Sequence, residues 1–255
     1  MMKVMLQLGA ALLVCLQPLT PASAQDRFSY ALTPDGWVSK ANVDTGVVIR
    51  QVRVGIESRN LAVSGDGKFI AVANASPSTL VLLDQDLKLL REHAVRNKER
   101  TQTSRVLGVF TAASRRSFIA PLQDVAEIWE VSYDPTSDDV PIGVIHDFLY
   151  KEGAFISGFL NPQRTRLDGP LHDVGFTADF SEIIGLGTEP GKLLVVNLDA
   201  RKLIAQIALP GSPRPGATTF VMQNGKQLLA IPDAHSGQSN LIDPENWQTV
   251  RPTQQ

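Results

Sequence analysis

The sequence predicts an all-β protein, a β-propeller with about five blades of four short strands each. Three observations indicate this fold. Short runs rich in Val, Leu and Ile alternate with turns of Gly, Asp, Asn and Ser. Similar units recur roughly every 40 to 45 residues, the period of propeller blades. No stretch has the spacing of an amphipathic helix, so helical solenoids are excluded.

The clearest unit lies between Leu61 and Leu90. Asp66-Gly67-Lys68 forms its turn, residues 69–74 its first apolar strand and residues 79–84 its second. An Asp-Gly pair between two apolar runs is a strong hairpin signal, because both central residues of that turn need positive φ. The unit therefore predicts adjacent antiparallel strands of one blade.

Four further units repeat this order of turn and strands. Their predicted strand pairs are residues 37–43 and 47–54, 117–121 and 126–131, 183–186 and 192–197, and 227–231 and 239–243. Aspartates mark the ends of equivalent strands, and their spacing supports a propeller. They are Asp44, Asp84, Asp199 and Asp243.

One connection is too long for a standard loop. Residues 134–170 contain several Pro, Gly and Asp residues and predict an insertion. Two forms of it are open, a flap across the central channel or an excursion on the surface. His146 lies in this segment and would reach the channel only as part of a flap.

The first residues have the features of an export signal. Lys3 gives a positive start, residues 4–16 are almost entirely apolar, and Ala22-Ser23-Ala24 matches a signal-peptidase cleavage pattern. We expect a signal peptide over residues 1–24 and a periplasmic propeller domain over residues 25–255. The apolar run is shorter than the roughly 20 residues that a bilayer requires, so no stable membrane span is expected after cleavage.

Composition excludes several classes of site. The only cysteine, Cys15, lies in the signal, so the mature chain is expected to have no disulfide, thiolate metal site or attachment for c-type haem. With a formal net charge of −2, the chain lacks the basic field of a nucleic-acid-binding protein. The four histidines are dispersed and form no zinc-binding pattern.

Short segments between Phe28 and Val250 match one known family in the same order. They read YALTPDG at 30–36, VGIESRNLAVSGDGKFIAVAN at 54–74, SRVLG at 104–108, EIW at 127–129, LHDVG at 171–175 and PRPG at 213–216. They resemble the haem d1 propeller of cytochrome cd1 nitrite reductases, a family that includes NirF-like proteins of d1 haem biosynthesis. The resemblance implies a partial arc, about five blades of an eight-bladed d1-type propeller.

The resemblance also implies a site for haem d1 or a d1 precursor. His172 lies in a segment similar to the family's Leu-His-Asp-Gly-Gly, which carries a distal-pocket histidine, so His172 is the implied iron or macrocycle contact and the candidate catalytic residue. Arg214 stands where the family has a second distal histidine, and Arg214 and Arg105 are implied to pair with carboxylates of the tetrapyrrole. His235 matches a family histidine in a Ser-His-Met-Gly segment and is a further candidate cofactor-binding residue.

Each candidate also has a structural interpretation. The His172 ring could be satisfied by neighbouring backbone, and Arg214 could be an exposed arginine in a turn. Arg105 precedes a predicted apolar strand at residues 106–110 and could form a salt bridge at its edge. His93 follows a predicted strand end among charged residues and is predicted to be solvent-exposed.

The family pattern is incomplete in this chain. The stretch that carries the proximal histidine and the last blades of the family are missing from the match, and Arg214 replaces a distal histidine. A complete nitrite reductase is therefore not expected. The leading hypothesis is a periplasmic, NirF-like propeller in haem d1 maturation, acting through an oxidoreductase-type step on the tetrapyrrole or through holding and delivery.

Two alternatives stay open, a non-catalytic propeller scaffold or binding protein and a truncated nitrite reductase d1 domain without its cofactor. A lactonase-like propeller would need an acidic metal cluster that the sequence lacks. Five blades could close a small ring or form an open arc. An open arc would leave edge strands unpaired, so partners besides the tetrapyrrole could be another propeller chain or d1 assembly proteins.

Overall fold

The computed structural model of the chain describes residues 27–147 and 152–250. The predicted signal peptide and Cys15 therefore lie outside the described residues. The described residues form short β-strands and two short 3-10 helices, Ala113–Arg115 and Pro215–Ala217. The all-β prediction is confirmed. In these two segments, no helix has the length and hydropathy to cross a membrane.

Five antiparallel sheets, which we call blades I to V, follow one another along the chain. Blade I consists of β1 (Phe28–Leu32), β2 (Trp37–Asn42) and β3 (Val48–Arg53). Blade II consists of β4 (Glu57–Val63), β5 (Phe69–Ser76), β6 (Thr79–Asp84) and β7 (Leu89–Ala94).

The next blade carries an insertion. Blade III consists of β8 (Phe110–Ala112), β9 (Ser117–Pro121), β10 (Glu127–Ser132) and, after the hairpin β11 (Val140–Asp147) and β12 (Glu152–Ile156), β13 (Pro162–Arg166). Blade IV consists of β14 (His172–Phe176), β15 (Glu182–Leu186), β16 (Lys192–Asn197) and β17 (Lys202–Ala208). Blade V consists of β18 (Thr219–Gln223), β19 (Lys226–Pro232), β20 (Ser239–Asp243) and β21 (Gln248–Val250).

The blades pack face to face through four apolar clusters, each shared by two consecutive blades. In β5, Ile70 and Val72 pack towards blade I, whereas Ala71 and Ala73 pack towards blade III. A central strand therefore buries both faces and reads as a continuous apolar run. Among the described residues, each of the four clusters joins two blades that follow one another in sequence.

The two ends of the blades carry different loops. Because neighbouring strands are antiparallel, the connections between second and third strands lie at the same end as those between consecutive blades. Backbone hydrogen bonds link the two kinds of loop, from Ile56 N to Ser76 O at 2.9 Å and from Arg214 N to Pro232 O at 2.8 Å. We call this end of the blades the motif end.

The strand ends that match one another differ from those predicted. Equivalent turns begin at polar residues whose side chains accept a backbone N–H two or three residues further on, namely Asn42, Asp84, Ser132, Asn197 and Asp243. Asp44 and Asp199 lie two positions beyond Asn42 and Asn197 and form ion pairs instead, with Arg27 and Arg115 respectively, both at 2.7 Å. The predicted strand ends are confirmed at Asp84 and Asp243. They are wrong by two residues at Asp44 and Asp199, because Asn can form the same turn as Asp.

The turn chemistry also differs between two Gly-containing hairpins. Gly67 has φ +71°, but Asp66 is not in the left-handed region, because five residues connect β4 and β5 and the Gly67 N–H is donated to the Ser64 carbonyl at 2.9 Å. The expectation of two positive φ values is therefore wrong there. It holds at Asn224 (φ 52°) and Gly225 (φ 77°), which form a two-residue turn.

Residues 134–170 combine an inserted hairpin with a regular blade strand. β13 is the outer strand of blade III and pairs with β10. The hairpin of β11 and β12 contacts β13. The contact supports the surface excursion at the outer rim. The backbone of His146 belongs to β11, but its side chain lies outside the described part.

Candidate functional site

The four candidate residues all belong to segments at the motif end. His172 begins β14, Arg214 lies in the connection between blades IV and V, and His235 lies between β19 and β20. Arg105 lies in the connection between blades II and III. The structure packs the first three segments against one another, whereas Arg105 is bound to blade III.

His172 stands next to a β-bulge. The register of β14 and β15 shifts between His172 and Val174, and Asp173 at the bulge has φ 47°. Aspartate is one of the few residues that tolerates this left-handed conformation, and bulges re-aim the side chains beside them. His172 is exposed, and its ring forms no hydrogen bond with any residue that the structure describes. This geometry does not support the interpretation that neighbouring backbone satisfies the ring.

Arg214 is held by both its backbone and its side chain. Its N–H is donated to Pro232 O at 2.8 Å, and the neighbouring Pro213 forms a β-bridge with Asp233. The Nε–H group of Arg214 donates a hydrogen bond to Asp173 Oδ2 at 3.2 Å, while 58% of the arginine side chain stays accessible to solvent. Among the described residues, the two terminal nitrogens of Arg214 have no hydrogen-bond partner. The arginine is therefore fixed beside the His172 segment with its terminal donors available.

Two glycines allow the His172 and Arg214 segments to approach closely. A Cβ atom on Gly175 would lie 2.2 Å from Pro215 O, and one on Gly216 would lie 2.3 Å from Asp173 Oδ1. Both distances are far shorter than any van der Waals contact. At Gly175 the obstructing atom belongs to the backbone, so only glycine fits there, whereas at Gly216 a side chain would displace the carboxylate of Asp173. The glycines of the two sequence motifs are thus explained by one structural requirement, the packing of β14 against the Pro215–Ala217 helix.

Asp233 organises the same corner and was missed by the sequence analysis. Its carboxylate accepts the N–H groups of Ser236 at 2.7 Å and His235 at 3.0 Å, and also that of Ser212. These hydrogen bonds, first of all that from Ser236, hold the pKa of Asp233 far below its ordinary value. The available signal was the Asp-x-x-Ser spacing, which is typical of a side chain that caps its own turn.

Asp233 also fixes the position of His235. Because the loop that carries His235 and the segment before Arg214 bind the same carboxylate, they are joined to each other. The His235 side chain is exposed. His235 therefore stays a candidate at the border of the site.

Arg105 already has a carboxylate partner. Its Nε–H and Nη2–H groups donate hydrogen bonds to the two carboxylate oxygens of Asp124 at 2.9 and 2.6 Å. Its backbone N–H also donates to that carboxylate, at 2.9 Å. The side-chain hydrogen bonds from Arg105 lower the pKa of Asp124 to about 2. The apolar strand predicted at residues 106–110 is wrong, since β8 covers only Phe110–Ala112 and Val106 forms an isolated bridge. This geometry favours the salt-bridge interpretation of Arg105.

The prediction that His93 is solvent-exposed is wrong. His93 lies within β7, and its Nε2 is 2.8 Å from Leu160 O. Burial lowers its pKa below the ordinary value. Leu160 follows the inserted hairpin, 67 positions away in sequence, so no local pattern could have indicated the contact.

No group of three or more His, Cys, Asp or Glu side chains within residues 27–147 and 152–250 is arranged to hold a metal ion. The candidate site at the motif end consists of the exposed imidazole of His172 and of the guanidinium of Arg214, which is paired with the adjacent Asp173. Such a pair can contact an anionic, metal-bearing ligand rather than hold a free ion.

Comparisons with known proteins agree with the motifs. The family model described as cytochrome D1 heme domain matches residues 18–254. Dihydro-heme d1 dehydrogenase of Pseudomonas aeruginosa is 31% identical over 230 residues, which are 90% of this chain and 42% of that protein. Protein NirF of the same organism is 31% identical over 109 residues, which are 42% of this chain and 28% of NirF.

Solved structures support the same conclusion. Dihydro-heme d1 dehydrogenase NirN in complex with DHE superposes with a TM-score of 0.75 at 31% identity, covering 88% of this chain and 44% of that one. The β-propeller domain of Myceliophteria thermophila Cps50 (Swd1) has a TM-score of 0.51 at 17% identity, covering 89% of this chain and 69% of that one, which shows the fold alone.

The chain spans less than half of the length of the curated relatives that it matches. The family match nevertheless extends over nearly all of its residues and includes both motifs of the candidate site. The chain belongs to the cytochrome d1 haem domain family.

Proposed function

We propose that the chain binds haem d1 or a d1 precursor at the motif end of blades IV and V. One observation carries the proposal. Two family motifs that lie far apart in sequence are packed together. One exposes the imidazole of His172, which has no hydrogen-bond partner among the described residues, and the other supplies an accessible guanidinium that is paired with Asp173, the residue after His172. The related NirN, whose structure was solved in complex with DHE, supports a tetrapyrrole as the ligand.

The side chains at the motif end fit such a group. An imidazole can ligate iron or transfer a proton, and the exposed ring of His172 is accessible for either role. The terminal nitrogens of Arg214 can form a bidentate pair with a carboxylate of the macrocycle, and Asp173 keeps the guanidinium in place through Nε alone. His235 would border the ligand, whereas Arg105 would first have to release Asp124. The bound group would supply the iron and the conjugated ring, and the chain would bind and orient it.

We place this binding in maturation of haem d1 for nitrite reductase, in the periplasm. The support is the similarity to dihydro-heme d1 dehydrogenase and NirF, together with the export signal predicted in residues 1–24. The role is either an oxidoreductase-type step on the tetrapyrrole or its holding and delivery. The proteins that would meet the chain in this role are another propeller chain or d1 assembly proteins.

A second candidate is a propeller scaffold, or a nitrite reductase d1 domain, that has lost the cofactor. Two observations favour it. Arg214 occupies the position that corresponds to a family histidine, and both Arg105 and Arg214 already contact a carboxylate of the chain itself.

An absorbance titration with haem d1 tests the proposal. We expect a shift of the visible bands at micromolar protein concentration. The shift should be lost in His172→Ala, and the affinity should fall about tenfold or more in Arg214→Gln, the effect of losing a charge-assisted hydrogen bond. Arg91→Gln, an exposed arginine of β7, is the matched control and should bind as the unmodified chain does. No spectral change with a folded protein would refute the proposal and leave the scaffold.

A further inference from the structure

A second cleft lies at the outer rim between blades III and IV, and none of the four candidate residues lines it. It consists of two cavities of about 360 and 220 Å³ that share Arg166 and Arg201 as lining residues. We call the two together the rim cleft. The larger cavity has the volume of a pocket for a small organic molecule.

The floor of the larger cavity is apolar. Leu167, Leu194 and Leu203 are half-buried and line it together with the buried Val196. The inner part of the same interface is closed by the apolar cluster that blades III and IV share. The rim cleft is therefore the unfilled outer part of an inter-blade core, and its floor offers apolar surface to a ligand.

The rim of the cleft carries an excess of positive charge. Seven cationic residues line the two cavities, namely Lys98, Arg100, Arg164, Arg166, Lys192, Arg201 and Lys202. Three of them have acidic partners, Arg164 with Glu127, Arg166 with Glu99 and Lys192 with Glu189.

The other cations have no ion pair within the described residues. They are Lys98, Arg100, Arg201 and Lys202, and the one unpaired acid of the lining is Asp168. This local excess of cations contrasts with the formal net charge of −2 of the whole chain. Arg201 is central, because it lines both cavities and is exposed.

We propose that the rim cleft binds a small amphipathic anion, an apolar molecule that carries a carboxylate. The apolar body would lie on Leu194 and Leu203, and the carboxylate would pair with Arg201. An arginine matches a carboxylate in geometry and binds it through two parallel hydrogen bonds. A neutral apolar molecule would contact only the apolar floor of the cleft, and a purely polar anion would pair only with the cations of its rim.

Two fluorescent probes with the same apolar body test the proposal, pyrenebutyrate with a carboxylate and pyrenebutanol without one. We expect the chain to bind pyrenebutyrate at least tenfold more tightly. Arg201→Gln should weaken pyrenebutyrate about tenfold and leave pyrenebutanol unchanged, because only the charge-assisted pair is lost. Gln206→Trp, an exposed residue of β17 that lines the larger cavity, should fill the cleft and weaken both probes.

Two control variants distinguish ligand binding in the rim cleft from haem binding at the site of His172 and Arg214. His172→Ala and Arg91→Gln should bind both probes as the unmodified chain does, whatever the outcome of the haem titration. Equal affinity for the two probes would overturn the role of the charged rim. Unchanged binding in Gln206→Trp, or no binding of either probe, would overturn the site itself.

Discussion

Gly175 of β14 has no room for a side chain, and replacing it by Ala measures how tightly the two motifs pack. The added Cβ would lie 2.2 Å from Pro215 O, 3.1 Å from its carbonyl carbon and 3.2 Å from Thr218 Oγ1. The closest atom belongs to the backbone, so it cannot turn away as a flexible side chain can. β14 and the Pro215–Ala217 helix must therefore separate by about an ångström.

The magnitude follows from two opposing effects. Overpacking of this kind lowers the free energy of unfolding by about 1–3 kcal/mol. Replacing Gly by Ala also reduces the conformational entropy of the unfolded chain, which raises the free energy of unfolding by roughly 0.4–1 kcal/mol. We expect Gly175→Ala to lower the free energy of unfolding by about 1–2 kcal/mol. Urea denaturation followed by circular dichroism measures it, with an unchanged dependence on urea concentration if the native fold is kept.

Two other glycines calibrate the result. A Cβ on Gly169 would meet its nearest neighbour, Thr188 Cγ2, at an ordinary 3.7 Å, so Gly169→Ala should be neutral or slightly stabilising. Gly216→Ala should lie between the two, because the atom that it meets, Asp173 Oδ1, can rotate away. That rotation would release Arg214. Equal stability of Gly175→Ala and Gly169→Ala would refute the close packing of the motifs.

Three further predictions concern buried polar groups. Asn74 is fully buried; its Oδ1 accepts a hydrogen bond from Ser58 Oγ at 2.6 Å, and its Nδ2 donates one to Val54 O at 2.8 Å. Asn74→Ala would leave both partners unsatisfied and should lower the free energy of unfolding, measured by urea denaturation, by about 2–3 kcal/mol. Burial lowers the pKa of His93 in the folded chain, so the unfolded chain binds a proton at a higher pH than the folded chain does. The free energy of unfolding should therefore fall as the pH falls below about 6.5, and His93→Gln should remove this pH dependence. The pKa of Asp233 is also lowered in the folded chain, so this carboxylate stabilises the fold above a pH of about 4 and loses that effect as the pH falls further. Asp233→Asn should remove the loss of stability below pH about 4 and leave the pH dependence caused by His93 unchanged.

The blades could be predicted from the sequence because they depend on local patterns. β5 and β6, the second and third strands of blade II, are buried on both faces between neighbouring blades, so their apolar runs are continuous and their ends coincide with turn residues. The turns were less predictable, since Asn42 and Asn197 form the turn that was assigned to Asp44 and Asp199. Asn and Asp side chains accept the same backbone hydrogen bond, so composition alone does not set the register.

The candidate site was only partly predictable. His172 and Arg214 could be selected from their motifs. The position of Arg214 depends on its ion pair with Asp173, which has a left-handed backbone and lies 41 residues away in sequence. The partner of Arg105 lies 19 residues away and the partner of His93 lies 67 residues away, and both contacts cross a loop or an insertion. Such contacts leave no periodic signal in a single sequence.

The apolar clusters between consecutive blades have a consequence for how the chain opens. Because each blade is stabilised by its immediate neighbours, stability is distributed along one dimension, as in repeat proteins. Within the described residues, these clusters cover both faces of blades II, III and IV and one face each of blades I and V. Amide hydrogen exchange should therefore be slower in the central strands of blades II to IV, such as β9 and β10, than in β3 and β21, the outer strands of blades I and V.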